Sequence, residues 1–146
     1  MTTREKIIGE IRAFNRFYIN IIGVLDNHIL NSDYSLTEAR ILFEICNNDN
    51  CTARTIKNII KIDEGYLSRI IDKLVKQKLI KKQQSKVDGR VYILILTSFG
   101  EKQFQKLNDS SFQSVKQMTE KLTAAETERL LNHMTGIKEL LTKSFR

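Results

Sequence analysis

Apolar residues recur along most of the chain at spacings of three and four, the pattern of amphipathic helices with one buried face. Six helices are predicted on this basis, over residues 3–30, 36–48, 53–62, 63–77, 98–121 and from residue 123 onward. A short basic segment at 80–84 and a strongly β-prone one at 91–96 flank a turn at 85–89, which predicts a hairpin. The predicted fold is therefore mainly α-helical with one small β-hairpin.

Side chains suited to helix capping stand at the predicted starts. Ser or Thr accepts a backbone N–H, and a Glu three residues later completes a capping box. Boxes are predicted for Ser35 with Glu38, Ser98 with Glu101 and Thr123 with Glu126, and single caps for Thr52 and Asp63. In the second helix the predicted buried stripe is Leu36, Ala39, Leu42, Phe43 and Cys46. The absence of proline suits a chain with few helix breaks.

The helix predicted over residues 63–77 has an unusual outer face. Its buried stripe consists of Leu67, Ile70, Ile71, Leu74 and Val75. Small, hydroxylated and charged side chains are left facing outward: Gly65, Tyr66, Ser68, Arg69, Asp72, Lys73 and Lys76. Major-groove recognition needs such groups near the start of a helix, because Arg grips a guanine edge with two hydrogen bonds. An ordinary surface helix with a solvated charged face fits this segment, taken alone, equally well.

The neighbouring segments favour DNA binding. A short helix after Thr52, a turn and the helix opening at Asp63 form a helix-turn-helix layout, and the hairpin behind it is of the kind called a wing. Residues 52–90 carry eleven Lys or Arg against four Asp or Glu, whereas the rest of the chain is neutral. Such a basic segment is typical of nucleic-acid binding, since phosphate contacts release counterions. Membrane-surface binding ranks lower, because the apolar stripe is committed to a core.

Composition argues against several other classes. No apolar run approaches the roughly 20 residues that span a bilayer, and the N-terminal residues lack the apolar core of a signal peptide. A soluble cytoplasmic protein that does not bind membranes is expected. The two cysteines and two histidines form no zinc-ligand or disulfide pattern, so neither a metal nor a cofactor is predicted. Without a catalytic cluster or a glycine-rich phosphate loop, an enzyme is not expected.

Four motifs along the chain resemble the MarR family of bacterial transcription regulators. They are Leu36-Thr37-Glu38, Gly65-Tyr66-Leu67-Ser68-Arg69, Asp88-Gly89-Arg90, and Leu94 with Leu96-Thr97 and Gly100. The resemblance covers essentially the whole chain. It implies a dimeric winged helix-turn-helix protein that binds a pseudo-palindromic operator, commonly as a repressor. It also implies that the protein often dissociates from the operator when a small molecule binds or an oxidant reacts with it. The N-terminal part is also similar to MarR domains fused to acetyltransferases, although no acetyltransferase part is expected in residues 1–146.

The resemblance and the charge pattern together give a set of candidate DNA contacts. They are Tyr66, Ser68 and Arg69 in the major groove, Lys86 and Arg90 in the minor groove, and Arg54, Lys73 and Lys82 on phosphates. Ser68 and Arg69 match family positions that meet DNA, and Arg90 matches the wing arginine. Asp88 matches the wing acid that helps to order the tip.

Two positions depart from the family pattern. Lys78 stands where glycine is common just after the recognition helix, so a left-handed cap there would cost about 1 kcal/mol. Lys82 stands where arginine is common, and it neutralises a phosphate without the bidentate fork.

The terminal helices predict a homodimer. The first helix has a broader apolar face than a small domain's own core usually covers, and the last two helices add long apolar stripes. An intramolecular hairpin is the alternative for those last two stripes. The predicted organisation is one domain with dimerisation helices at 1–34 and 98–146 and a winged-helix part at 35–97. A two-fold dimer would place two recognition helices about 34 Å apart, one turn of DNA.

Candidate effector contacts are few. A plain core role is the favoured interpretation of Phe14, Phe17 and Tyr18, and these residues are also the candidate lining of a small-molecule pocket between the dimer helices and the DNA-binding part. Cys51, near a turn, is the candidate redox residue, whereas Cys46 on the apolar stripe is expected to be inert. A winged-helix adaptor that binds protein instead of DNA is the alternative function.

Overall fold

In a computed structural model, the chain forms six α-helices and one two-stranded sheet over the residues described, 1–29 and 32–145; side chains are described for 1–22 and 32–145. The elements are α1 (Thr3–Ile29), α2 (Leu36–Asn47), α3 (Ala53–Ile60), α4 (Glu64–Lys76), β1 (Ile80–Gln84), β2 (Tyr92–Leu96), α5 (Ser98–Thr119) and α6 (Ala124–Ser144). The predicted number and order of elements are confirmed. Leu30, the predicted end of the first helix, lies outside the described residues.

Local capping decides where most of these helices begin. The side chains of Ser35, Thr52 and Thr123 each accept the backbone N–H three residues ahead and complete a capping box. Asp63 caps α4 by accepting the N–H of Tyr66 at 2.9 Å. These starts depend on contacts within one helical turn, which is why the sequence predicts them.

The start of α5 differs from the prediction. The box expected from Ser98 and Glu101 is replaced by Thr97, whose Oγ1 accepts the N–H of Gly100 at 2.9 Å. The same hydroxyl donates to the carbonyl of Lys78 at 2.6 Å. A Cβ added at Gly100 would come within 1.9 Å of the carbonyl oxygen of Leu79. The first turn of α5 is therefore held by the backbone that follows α4.

The face that α2 turns inward also differs from the prediction. Leu36, Phe43 and Cys46 were expected on the buried stripe, yet all three are exposed. The buried apolar residues are Ile41, Leu42 and Ile45. Apolar residues lie on several sides of α2, so spacing alone fits more than one stripe and the packing partners select it.

An aliphatic core lies between α2, α3, α4, the sheet and the early part of α5. Its members are Ile41, Leu42, Ile45, Cys51, Ile56, Leu67, Ile70, Ile71, Leu74, Leu79, Ile80, Leu94, Leu96 and Leu107. The stripe predicted for α4 is confirmed except at Val75, which is only partly buried. Burial of that stripe makes the opposite side of α4 the solvent-facing one.

The chain divides into two compact units, Met1–Ser111 and Phe112–Arg146, and the division falls within α5. In the first unit α1 exposes a row of large apolar side chains: Ile7, Ile8, Ile11, Phe14, Phe17, Tyr18 and Ile19. In the second unit α6 buries none of its described residues and exposes Leu131, Met134, Ile137, Leu140 and Leu141. Each unit thus carries apolar surface that its own residues leave uncovered.

The turn after α4 keeps the left-handed conformation anticipated at Lys78, which has a φ of 60°. The N–H of Lys78 bonds to the carbonyl of Val75 at 2.9 Å, and the N–H of Leu79 bonds to that of Leu74 at 3.0 Å. These two bonds form a Schellman motif, in which glycine avoids the steric cost of a Cβ.

Replacing Lys78 with glycine is expected to raise the free energy of unfolding by about 0.5–1 kcal/mol, because the left-handed residue no longer carries a Cβ. Denaturant titration at fixed protein concentration measures the change. Lys76→Gly is the matched control: Lys76 is the last residue of α4 in helical conformation, so glycine there should destabilise the protein. Destabilisation by both substitutions would contradict the assignment of strain to Lys78.

Candidate nucleic-acid interface

The outward face of α4 forms the centre of the candidate interface. Because Leu67 and Ile70 point into the core, Ser68 and Arg69 between them face solvent. Both are exposed, and they lie in the first half of the helix, where a helix entering a major groove presents its side chains to base edges. The placement predicted from spacing is therefore the one observed.

The Arg69 side chain is directed along α4 toward the start of the helix. Its guanidinium carbon lies 5.9 Å from the centroid of the Tyr66 ring, a cation–π distance. A Cβ added at Gly65 would lie 4.0 Å from Nη1 of Arg69, so the guanidinium lies beside the first turn of α4. Arg69 makes no ion pair within the described residues. Its donors are available for bidentate hydrogen bonds to an acceptor pair.

Three ion pairs connect α4 to its neighbours. Glu64 accepts from Lys57 of α3 at 2.8 Å, and Asp72 accepts from Lys82 of β1 at 3.0 Å. The exposed Lys73 reaches α2, where its ammonium lies 2.5 Å from the carboxylate of Glu38. Of these three acids, only Glu38 is buried, at 5% exposure. The phosphate contacts predicted for Lys73 and Lys82 therefore belong to cations that already have acidic partners.

The basic side chains near the start of α4 shift the pKa of Glu64, the first residue of that helix. The hydrogen bond and the positive charge of Lys57 lower the pKa of Glu64, and Arg54 adds a smaller effect in the same direction. Arg54 is itself exposed in the first turn of α3 and makes no ion pair in the part of the chain described. Arg54 thus adds positive charge beside the start of α4.

The wing is an ordered turn on a regular hairpin. Strands β1 and β2 pair antiparallel from Ile80 opposite Leu96 to Gln84 opposite Tyr92. Beyond the last pair, the N–H of Ser85 bonds to the carbonyl of Val91 at 2.8 Å. The tip is thereby closed by a backbone contact as well as by side chains.

Asp88 makes the contact that an ordering role requires. Its Oδ1 accepts the N–H of Arg90 at 3.0 Å, and its backbone carbonyl accepts the N–H of Val91 at 3.0 Å. Both Lys86 and Arg90 are exposed, and neither has an ion pair among the described residues. The wing tip therefore presents two cations on a backbone that is already ordered.

The aromatic residues proposed as effector contacts form a cluster on α1. The rings of Phe14 and Tyr18 stack with centroids 5.7 Å apart, and Phe17 lies 6.5 Å from Phe14. All three remain partly exposed. A cavity of about 280 Å³ lies elsewhere in the first unit, lined by Ser32, Asp33, Tyr34, Gln103, Lys106, Leu107 and Ser110. The predicted aromatic set does not line that cavity.

The two cysteines have the reverse of the expected exposure. Cys51 is 1% exposed, and burial together with the nearby charge of Glu44 raises its pKa to about 11. The reactive thiolate is therefore disfavoured at neutral pH. Cys46, expected on the buried stripe, is exposed. Cys51 belongs to the buried core, and its backbone carbonyl accepts the N–H of Leu94 on β2 at 2.8 Å.

Among the described residues, none of the helices is long and apolar enough to cross a bilayer. Over the same residues, His, Cys, Asp and Glu side chains do not gather in groups of three or more suited to a metal ion.

An α3–turn–α4 pair followed by a hairpin is a winged helix-turn-helix, and the chain is a protein of this class. Residues 32–91 match the model of the MarR family. That match contains α2, α3, α4, β1 and the wing tip. Residues 32–91 are therefore similar to the helix-turn-helix domain of that family.

Similarity to individual proteins agrees with this assignment. The chain is 38% identical over 56 residues to the HTH-type transcriptional regulator BilQ of Clostridium symbiosum, a match covering 38% of this chain and 39% of that protein. The match spans about two fifths of the length of that curated relative. Among solved structures, a mutant MarR from E. coli complexed with operator DNA has a TM-score of 0.76 at 20% identity, covering 94% of this chain and 99% of the other. A further MarR family transcription regulator has a TM-score of 0.81 at 15% identity, covering 96% and 93%.

Proposed function

We propose that the protein is a sequence-specific, double-stranded DNA-binding regulator of transcription that acts in the cytoplasm as a homodimer on a pseudo-palindromic operator. The observation that carries the proposal is the exposed Arg69, free of any ion pair among the described residues and directed along α4 beside Tyr66. An ordered wing adds Lys86 and Arg90, so one α4 and one wing supply base-reading and backbone-binding groups. Repression is the proposed direction of regulation, because it is the common one in the family that the sequence resembles.

DNA binding is expected to be sequence-selective and strongly salt-dependent. Selection from random duplex DNA should enrich two related half-sites about one helical turn apart, and log Kobs should fall linearly with log salt. Titration of the enriched duplex at several salt concentrations measures both properties. Since Lys57, Lys73 and Lys82 already have acidic partners, the slope should be shallower than the count of basic residues in 52–90 suggests. No enrichment together with a flat salt response would contradict the proposal and favour the adaptor alternative.

The homodimer is supported by apolar surface that each unit leaves exposed. In α1, Ile11 is 55% exposed and Phe17 is 60% exposed; in α6, Leu140 is 69% exposed. Contiguous apolar faces of this kind mark interaction sites, since their contact with water is unfavourable.

Ile11→Glu is expected to shift the protein toward monomer and to weaken operator binding, because a charge is placed in the apolar face of α1. Sedimentation equilibrium over a range of concentrations measures the assembly. Arg16→Glu is the control, since Arg16 lies on the opposite side of α1 by helical spacing. A wild-type chain that sediments as a monomer at all concentrations would rule out the dimer.

Release of the protein from its operator by a small molecule or an oxidant is the most detailed part of the proposal. The small-molecule contacts proposed are Phe14, Phe17 and Tyr18, whose rings already contact one another and keep free faces. An oxidant acting at Cys51 receives less support, because burial raises the pKa of that thiol.

A further inference from the structure

Glu38 is a buried carboxylate on α2 with two separate tasks. Its Oε2 accepts the N–H of Ser35 at 3.1 Å and closes the capping box of α2. Its Oε1 accepts a hydrogen bond from the ammonium of Lys73 at 2.5 Å. One carboxylate thus joins the start of α2 to the helix that carries the candidate base contacts.

The capping box restricts how far this carboxylate moves. One oxygen is tied to the α2 backbone, so the other oxygen holds a definite position for the Lys73 ammonium. Lys73 stands four residues after Arg69, on the same side of α4. A buried carboxylate that loses its cation is strongly disfavoured, so a rotation of α4 that breaks the pair is opposed. The direction in which α4 presents Arg69 is therefore coupled to the start of α2.

We propose that Glu38 is a positioning residue for DNA recognition, acting through Lys73 to fix how α4 presents Arg69 without touching DNA itself. This inference rests on the proposed DNA-binding function. Neutralising Glu38 has two consequences of opposite sign. The Lys73 ammonium becomes available to a phosphate, which strengthens binding to any duplex, while α4 becomes less constrained, which reduces discrimination between sequences.

Glu38→Gln isolates the charge, because Gln also serves as the third residue of a capping box. The variant is expected to bind random duplex more tightly, with a salt slope steeper by about 2 for the homodimer, about 1 for each copy of Lys73. Its preference for the enriched site over random duplex should fall roughly tenfold, within the range for directly coupled residues. A purely capping role predicts neither change.

Glu44→Gln is the matched control. Glu44 is a second carboxylate on α2 with the same 5% exposure. Its partners Arg40, at 2.7 Å, and Asn48, at 3.0 Å, lie on or next to α2, so it makes no link to α4. The preference for the enriched site should be unchanged in this variant. A fall equal to that of Glu38→Gln would overturn the proposal.

A double-variant cycle tests whether Glu38 acts through its partner. In a Lys73→Gln background, Glu38→Gln should cause no further loss of preference, whereas additive losses would overturn the proposal. Amide hydrogen exchange without DNA provides a second readout, and Glu38→Gln should speed exchange in α4 relative to wild type and Glu44→Gln. Faster exchange in a chain that selects no DNA site would defeat the proposed function but leave the α2–α4 link standing. Unchanged exchange would defeat the positioning role.

Discussion

Arg69→Ala weakens binding to the enriched operator by about 1–3 kcal/mol and relaxes base preference, while binding to random duplex changes little. This is the expected result because Arg69 is exposed, has no ion pair among the described residues and offers a bidentate donor pair. Titration of the enriched and the random duplex at one salt concentration measures both the loss of operator affinity and the loss of base preference.

Lys86→Ala is the comparison for Arg69. Lys86 is an exposed cation of the wing tip, and its loss should weaken both duplexes alike and reduce the salt slope of the homodimer by about 2, about 1 for each copy. Equal losses on both duplexes for Arg69→Ala would remove Arg69 from the base-reading role.

Substitutions at Tyr66 distinguish whether its aromatic ring or its hydroxyl orients Arg69. Tyr66→Phe keeps the aromatic face that lies 5.9 Å from the guanidinium, so it should keep base preference if the ring orients Arg69. Tyr66→Ala should lose part of that preference. A loss in Tyr66→Phe as large as in Tyr66→Ala would assign the effect to the hydroxyl instead.

Gly100→Ala is expected to lower the free energy of unfolding by about 3 kcal/mol, the upper end of the range for overpacking. The added Cβ would lie 1.9 Å from the carbonyl oxygen of Leu79 and 2.8 Å from its carbonyl carbon. The Leu79 backbone cannot relieve this contact by a change of rotamer, as a side chain can. Either α5 or the turn after α4 must therefore shift. That shift would also disturb the bonds from the Thr97 hydroxyl to the same turn.

Gly9→Ala is the control for Gly100→Ala. A Cβ at Gly9 meets no atom within 4 Å, so the substitution should leave stability unchanged or raise it by up to about 1 kcal/mol. Denaturant titrations of both variants at one protein concentration decide the comparison. Equal midpoints for Gly100→Ala and wild type would contradict the close approach of the two backbones.

The ion pairs of α4 are a feature of the interface that residue spacing does not predict. Spacing correctly predicts that Ser68, Arg69 and Lys73 face away from the buried stripe. It gives no sign that Lys73 meets Glu38, because 35 residues separate the two along the chain. Glu38 has a complete local explanation as the third residue of a capping box, so nothing in the sequence called for a second partner.

The sequence by itself determined the order of the elements, the caps at Ser35, Thr52, Asp63 and Thr123, and the outward face of α4. These features depend on contacts within a few residues or on one unambiguous apolar stripe. Only the tertiary structure decided the inward face of α2, the burial of Cys51 and the bonds that tie Thr97, the residue before α5, to the turn after α4. Each of these depends on a packing partner from another element, and residue spacing within one helix carries no information about that partner.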